Sequence, residues 1–290
     1  MASEAFSLFD LAPGRMVLGR FRIEGPYRQG GLAATFKAHD AEHDCACELV
    51  VFPSSQFDDR QQADGYRRSL EPWLSVRSAH VVSVRELLTA PDGSLIEVCD
   101  LPPGRSLRER LKETGAIGQE QAVDLGLQLL DGLMAVHERA LVHGDIKPQT
   151  IFVADRDDGP HAALVDGGIT AGMWSAKHLG DHTALIGTPF YAPIEQFGGE
   201  SPDVQSDVYN VATVLFELVT GVLPWPGKTL LEIFQAKLDR QPPSMRTRAP
   251  EIEVDPQLEA VVVRGLMAAR DERYADAAAF HAALEPLSAR

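Results

Sequence analysis

The chain has three cysteines in 290 residues, an odd number that argues against a disulfide framework and fits a reducing cytoplasm. No apolar run approaches the roughly 20 residues that a membrane-spanning helix needs. The first ten residues, MASEAFSLFD, lack the basic start and long apolar segment of a secretory signal. Basic residues are in deficit: 27 Lys and Arg against 42 Asp and Glu leave a net charge of -15. That balance disfavours nucleic acid or an anionic membrane as partner and reads most simply as a device for solubility. Internal repeats, low-complexity tracts and signs of a second domain are missing too. The hydrophobic content of 44% is that of an ordinary globular chain, long enough for one large core or two lobes.

What is present is most concentrated between Leu141 and Val153, LVHGDIKPQTIFV. Upstream, Val17 to Ile23 alternates as a strand would, and YRQGGLAATFKAHD (27–40) places a Gly-Gly pair in a hairpin. CACELV (45–50) puts Ala46 and Glu48 on one strand face and Cys45 and Cys47 on the other. Gln61 to Val76 reads as a helix that Pro72 should kink or divide, because proline removes a donor and clashes with the carbonyl of Arg68. Leu87 to Asp100 reads as two strands around Pro91-Asp92-Gly93. Gln121 to Arg139 carries Val123, Leu127, Leu130 and Met134 on one helical stripe. ALVDGGI (163–169), GTPFYAPIEQF (187–197), SDVYNVATVLFELVTG (206–221) and DERYAD around Arg273 follow. His39, His43, Cys45 and Cys47 match no standard zinc spacing and read as surface histidines and core cysteines.

In this order the segments resemble the bacterial Hanks-type Ser/Thr protein kinases over almost the whole chain, the 141–153 stretch standing for the catalytic loop H-R-D-L-K-P-x-N. The resemblance implies an α+β, two-lobed fold. Residues 1–16 would be an extension, about 17–100 a small β-rich lobe, about 100–103 a hinge, and about 104–290 a larger, mostly helical lobe. It also implies roles. Asp145 and Lys147 fall on the catalytic positions and Asp166 on the metal-binding Asp of D-F-G. Gly30, Gly31, Ala46, Glu48, Asp100, Pro102 and Phe152 line the nucleotide cleft. Glu195 and Arg273 form a structural ion pair.

Several positions depart from the family's equipment. Catalysis there is positioning plus charge neutralisation, with a Lys held by a helix Glu on the phosphates, and Mg held by an Asp and an Asn. Here Glu48 stands for the Lys, Ser69 for the helix Glu (Glu71 being two residues off), and Thr150 for the Asn. Arg28 and Ala33 replace two of three loop glycines, Gly167 replaces the Phe of D-F-G, and Gly144 replaces the loop Arg that receives an activating phosphate. Pro102 has no N–H to offer an adenine, and Phe152 is larger than the aliphatic residue usual beneath it. One charge pair at contact distance is worth about 4 kcal/mol at an effective dielectric near 20, and replacing attraction by repulsion roughly doubles that.

Lys37 and Arg28 are the two candidates for a replacement cation. An Arg near a hairpin tip ordinarily snorkels outward, which would leave Glu48 exposed in an open cleft. The other arrangement turns Arg28 inward onto Glu48, while Phe152 closes the adenine side.

The expectation is a pseudokinase: a protein-interaction or regulatory module with little phosphotransfer, no cofactor, and a kinase or other signalling protein as partner through the 187–199 surface. The alternatives are an ATP- and Mg-dependent Ser/Thr kinase with a rearranged lysine, or a nucleotide-binding switch without catalysis.

Overall fold

The computed structural model describes residues 11–28, 31–177, 189–238 and 241–288. Between Met16 and Cys99 a six-stranded antiparallel sheet is built from β1 (Met16–Val17), β2 (Phe21–Pro26), β3 (Ala34–Asp40), β4 (Cys45–Phe52), β5 (Val84–Thr89) and β6 (Leu95–Cys99), in the order β1-β2-β3-β4-β6-β5. Alternation along β4 gives the sheet its two faces. Cys47, Leu49 and Val51 join Phe21, Ile23, Phe36, Ile96 and Val98 in an outer core. Val50 and Phe52 point the other way, into the core shared with the rest of the molecule.

The expected single strand over Val17–Ile23 is instead a hairpin. Val17 pairs with Phe21, and the turn between them holds Leu18 and Gly19 at φ 51° and 67°. A glycine in the left-handed region breaks the run that alternation alone would continue. Helix α1 (Arg60–Leu70), capped by Asp59, ends where Pro72 forces a short 3-10 turn, Glu71–Ser75, dividing the segment as expected.

Beyond the hinge, β7 (Arg105–Ser106), β8 (Ile151–Arg156) and β9 (Gly159–Leu164) form a small second sheet. Helices α2 (Leu107–Thr114) and α3 (Gln119–His137) precede its second strand. Then come α4 (Ile169–Ala176), α5 (Ile194–Phe197), α6 (Val204–Thr220), α7 (Leu230–Leu238), α8 (Met245–Arg248), α9 (Pro256–Gly265) and α10 (Ala277–Leu284). The structure is thus α+β, with a β-rich small lobe and a helical large lobe.

Helix α6 is buried almost all round. Asp203 and Ser206 close its first turn as a capping box, and Gly221, at φ 72°, ends it. Around it, α3 buries a wider face than one stripe. Val123 and Leu130 are in the core as expected, but Leu127 and Met134 are half-buried, and Leu125, Leu129, Leu133 and Val136 are buried instead. Contact with α6 and α10 as well as with β9 requires the broader face.

The lobes meet at the segment 78–82. Val82 N–H donates to Leu164 O at 2.8 Å, and Leu164 N–H donates to His80 O at 2.9 Å. These bonds set β9, and the Asp166 that follows it, against the floor of the small-lobe sheet.

Candidate functional site

Glu48 sits on the cleft face of β4 and is 1% exposed. The hydroxyl of Thr35 accepts from Arg28 N–H at 2.8 Å and donates back to Arg28 O at 3.2 Å, fixing the backbone so that the arginine turns inward. Its Nε donates to Glu48 Oε1 at 2.6 Å, and its two terminal nitrogens donate to the two oxygens of Asp166, both at 2.6 Å. The guanidinium carbon stands 5.9 Å from the centre of the Phe152 ring, and Phe152 is itself 5% exposed. The outward arrangement is therefore rejected. One arginine from the loop between β2 and β3 ties the small lobe to the large one. Asp166, held at φ 63°, faces that arginine rather than solvent or neighbouring backbone N–H groups.

Burial disfavours the ionised carboxyl and pushes Glu48 up to about 7, with Arg28 opposing the shift. Burial pulls the Arg28 pKa down, but Asp166 and Glu48 outweigh it and hold the group above its ordinary value. Sequence reasoning missed a third carboxyl, Glu97 on β6. The register sets Glu97 beside Val50 and Cys99 beside Glu48, so both acids face the same interior. Glu97 is 4% exposed, its Oε1 has no hydrogen-bond partner, and burial followed by the charges of Asp166 and Glu48 pushes it up to about 8. The cavity between these groups measures about 10 Å³, room for a single water. The available signal was an acid inside the otherwise apolar strand LIEVC.

The catalytic-loop segment is tied down by α6. Asp207 accepts from His143 N–H and Gly144 N–H, both at 2.8 Å, and Asn210 accepts from Ile146 N–H at 3.3 Å. Lys147 Nζ contacts Asp145 Oδ2. Thr150, 4% exposed, accepts from Lys147 N–H at 3.1 Å and donates to Asp145 O at 2.9 Å, so its hydroxyl is engaged within the loop. Gly144 adopts φ 84°, which suits glycine. Of the modifiable hydroxyls, Ser175 is exposed on α4, while Thr183 and Thr188 lie outside the described residues.

The remaining positions do not converge on Arg28. Lys37 is the cross-strand neighbour of Glu48, yet its ammonium goes to Glu24 at 3.3 Å. Ser69 bonds its own Tyr66 O at 2.6 Å, and Glu71 pairs with Arg67 at 2.8 Å. Ala46 is exposed on the cleft face, Gly31 is exposed at φ 97°, and Gly30 falls outside the described residues. At the hinge, Asp100 N–H donates to Ser83 O at 3.0 Å, Arg85 takes the Asp100 side chain, and Pro102 is buried. His39 goes to Asp44, His43 to Asp40 and Cys45 to Arg85, while Cys47 is in the outer core, so the four side chains serve separate partners.

The model of the protein kinase domain family matches residues 28–280, and the chain belongs to that family. It is 26% identical over 276 residues to "Serine/threonine-protein kinase pkn3" of Myxococcus xanthus, a match covering 94% of this chain and 50% of that protein. It is 30% identical over 270 residues to "Serine/threonine-protein kinase PknL" of Mycobacterium tuberculosis, covering 93% of this chain and 66% of that one. The chain thus spans half to two thirds of the length of these relatives. Its fold superimposes on the crystal structure of the PknI kinase domain of Mycobacterium tuberculosis with a TM-score of 0.73, at 17% identity, covering 97% and 99% of the two chains. The match to the structure of Rad53 in complex with AMP-PNP has a TM-score of 0.75 at 19% identity, covering 91% of this chain and 65% of that one. No helix among the described residues is long and apolar enough to cross a membrane.

Proposed function

We propose that this kinase-family domain is a pseudokinase, a protein-interaction or regulatory module with little or no phosphotransfer and little affinity for ATP-Mg. One observation carries the reading. Arg28 spends its side chain on Glu48 and Asp166 together, the two positions that in the family hold the phosphate-binding lysine and a metal-binding carboxylate. A nucleotide entering this side of the cleft would have to break three charge-assisted bonds and would then meet Glu48, Glu97 and Asp166 with no lysine among them. Thr150, hydrogen-bonded within its own loop, supports the same reading. No resident cofactor is required by it. The partner class is another protein, a kinase or a signalling component, docking at the surface around 189–199. The unpaired thiols of Cys45, Cys47 and Cys99 suit the cytoplasm.

The second reading is an ATP-dependent protein Ser/Thr kinase. It is favoured by the retained Asp145–Lys147 pair, by Asp166, and by the names of the relatives. A thermal melt separates the two. Ligand at 100 times its dissociation constant stabilises by about 2.7 kcal/mol. The first reading expects no rise in melting temperature with millimolar ATP and Mg or Mn, and no transfer of labelled phosphate to the chain or to a generic substrate. A rise of several degrees together with transfer establishes the second. Glu48→Lys alone is expected not to create binding, because Ser69 faces away from β4 and Thr150 is committed to its loop.

A further inference from the structure

Gly167 and Gly168 follow Asp166, and what lies against them is an indole. A Cβ built on Gly167 would fall 2.2 Å from Cζ3 and 2.3 Å from Cη2 of Trp73, and one on Gly168 would fall 2.1 Å from Trp73 Nε1. Neither glycine has room for any side chain while the ring is there. Trp73 is 3% exposed and stands edge-on to His143, with ring centres 6.5 Å apart at 87°. It reaches this place because Pro72 turns the end of α1 into the 3-10 segment Glu71–Ser75. One turn further along, a third glycine repeats the relation. A Cβ on Gly172 of α4 would lie 2.5 Å from Ser69 Oγ and 3.2 Å from Tyr66 Cε2. Three glycines on the 167–172 side therefore face Trp73, Ser69 and Tyr66 on the α1 side, small against large at each level.

We propose that Trp73 and the glycines at 167, 168 and 172 form a built-in wedge that fixes α1 against α4, making the position of α1 a permanent part of the fold instead of a movable setting. The aromatic mass that the D-F-G pattern would carry at 167 is supplied from the opposite side, and the exchange works only if both changes are present. With α1 seated on α4, Ser69 is directed at Gly172 and away from Glu48. The outer face of α1, carrying Arg60, Asp64 and Arg68, is then presented in one constant orientation. The wedge rests on packing alone and is independent of whether the cleft takes ATP.

A double-mutant cycle tests it, read by thermal melting. Gly167 has no left-handed φ, so alanine there is compatible with the backbone, and the three atoms nearest its Cβ all belong to the indole. Gly167→Ala should lower the melting temperature by roughly 5–10 °C in the wild-type background and by less than about 2 °C in Trp73→Leu. Hydrogen exchange across 60–70 should accelerate at least about tenfold in Trp73→Leu, while α3 is unchanged. Equal losses in the two backgrounds, or unchanged exchange in α1, overturn the proposal. The transposed protein, Gly167→Phe with Trp73→Ala, repeats the test without the leucine variant. It melts above Gly167→Phe alone if ring and glycine share one space, and at or below it if they do not.

Discussion

Arg273 and Arg28 each tie carboxylates in this molecule, and the two ties differ in how completely their surroundings finish them. In the large lobe, Arg273 meets Glu195 at 2.7 and 3.0 Å, and its nitrogens also donate to the carbonyls of Met267, Gln205 and Ala268. Arg270 adds a second cation near the same carboxylate, at 3.6 Å. In the cleft, a single guanidinium serves Glu48 and Asp166 while Glu97 stands by without a hydrogen bond to one of its oxygens. In the first tie every nitrogen of Arg273 donates to Glu195 or to fixed backbone, and Arg270 serves Glu200 and Asp203 as well as Glu195. The second has three acids to one cation, so protons must make up the difference. A buried pair specifies geometry well only when the surroundings complete its hydrogen bonds. The Arg273 tie therefore belongs to the scaffold, and the Arg28 tie holds a site whose equilibrium depends on its solution.

The comparison makes its largest demand on Arg273. Its side chain is fully buried, and removing it leaves Glu195, itself 7% exposed, without its bidentate partner and takes one donor from each of three carbonyls. Arg273→Ala should destabilise by about 3–5 kcal/mol in urea unfolding. A loss under about 1 kcal/mol would show that Arg270 carries the tie instead.

Arg28→Ala should cost less, about 2 kcal/mol, because Glu48 can take up a proton and Asp166, 24% exposed, can turn to water. Combined with Glu48→Gln, it should show coupling, since the two side chains are in direct contact. If Arg28→Ala proved as damaging as Arg273→Ala, the contrast between scaffold tie and cleft tie would fail. Additivity with Glu48→Gln would mean that Asp166 alone holds the arginine.

The two ties also differ in how far they could be read from sequence. Glu195 and Arg273 are 78 residues apart and were paired by motif, since both occupy places the family keeps. Glu48 was legible as a charge reversal because the resemblance places a lysine there, and alternation put it on the same strand face as Ala46. The direction of Arg28 was not, because an arginine beside a hairpin tip has good solutions both ways. What decides it is a backbone contact with Thr35 and an acid, Asp166, 138 residues further on. Glu97 escaped because a lone acid in an apolar strand carries no periodic signal, and its meaning depends on which strand pairs with β6. Trp73 carried no signal of its own in the sequence. Its role exists only opposite Gly167, a contact across the two lobes that no local pattern encodes.

The finest test of the comparison is the proton count of the cleft. Burial holds Glu97 protonated up to about 8 in the folded protein, whereas in the unfolded chain it ionises in the ordinary carboxylate range. The folded state therefore keeps a proton that the unfolded state has already lost. Stability from that proton is full below the unfolded value and is lost as pH rises through the folded one. Between about pH 7 and about pH 9 the loss attributable to Glu97 comes to about 1 kcal/mol. Glu48, pushed up to about 7, adds a smaller loss of the same sign in that window. Lys237 opposes both. Burial lowers it to about 7, so its folded form releases a proton that the unfolded chain still holds, and stability rises with pH on its account. The slope of the wild type alone is thus a mixture, and the variant isolates one part of it. Glu97→Gln keeps the shape and removes the titration. Its stability relative to wild type should rise by about 1 kcal/mol from pH 7 to pH 9 in matched urea titrations. Parallel curves for wild type and Glu97→Gln would mean that Glu97 is already ionised and paired at neutral pH, and that the cleft does not rely on protons to offset its excess of acids.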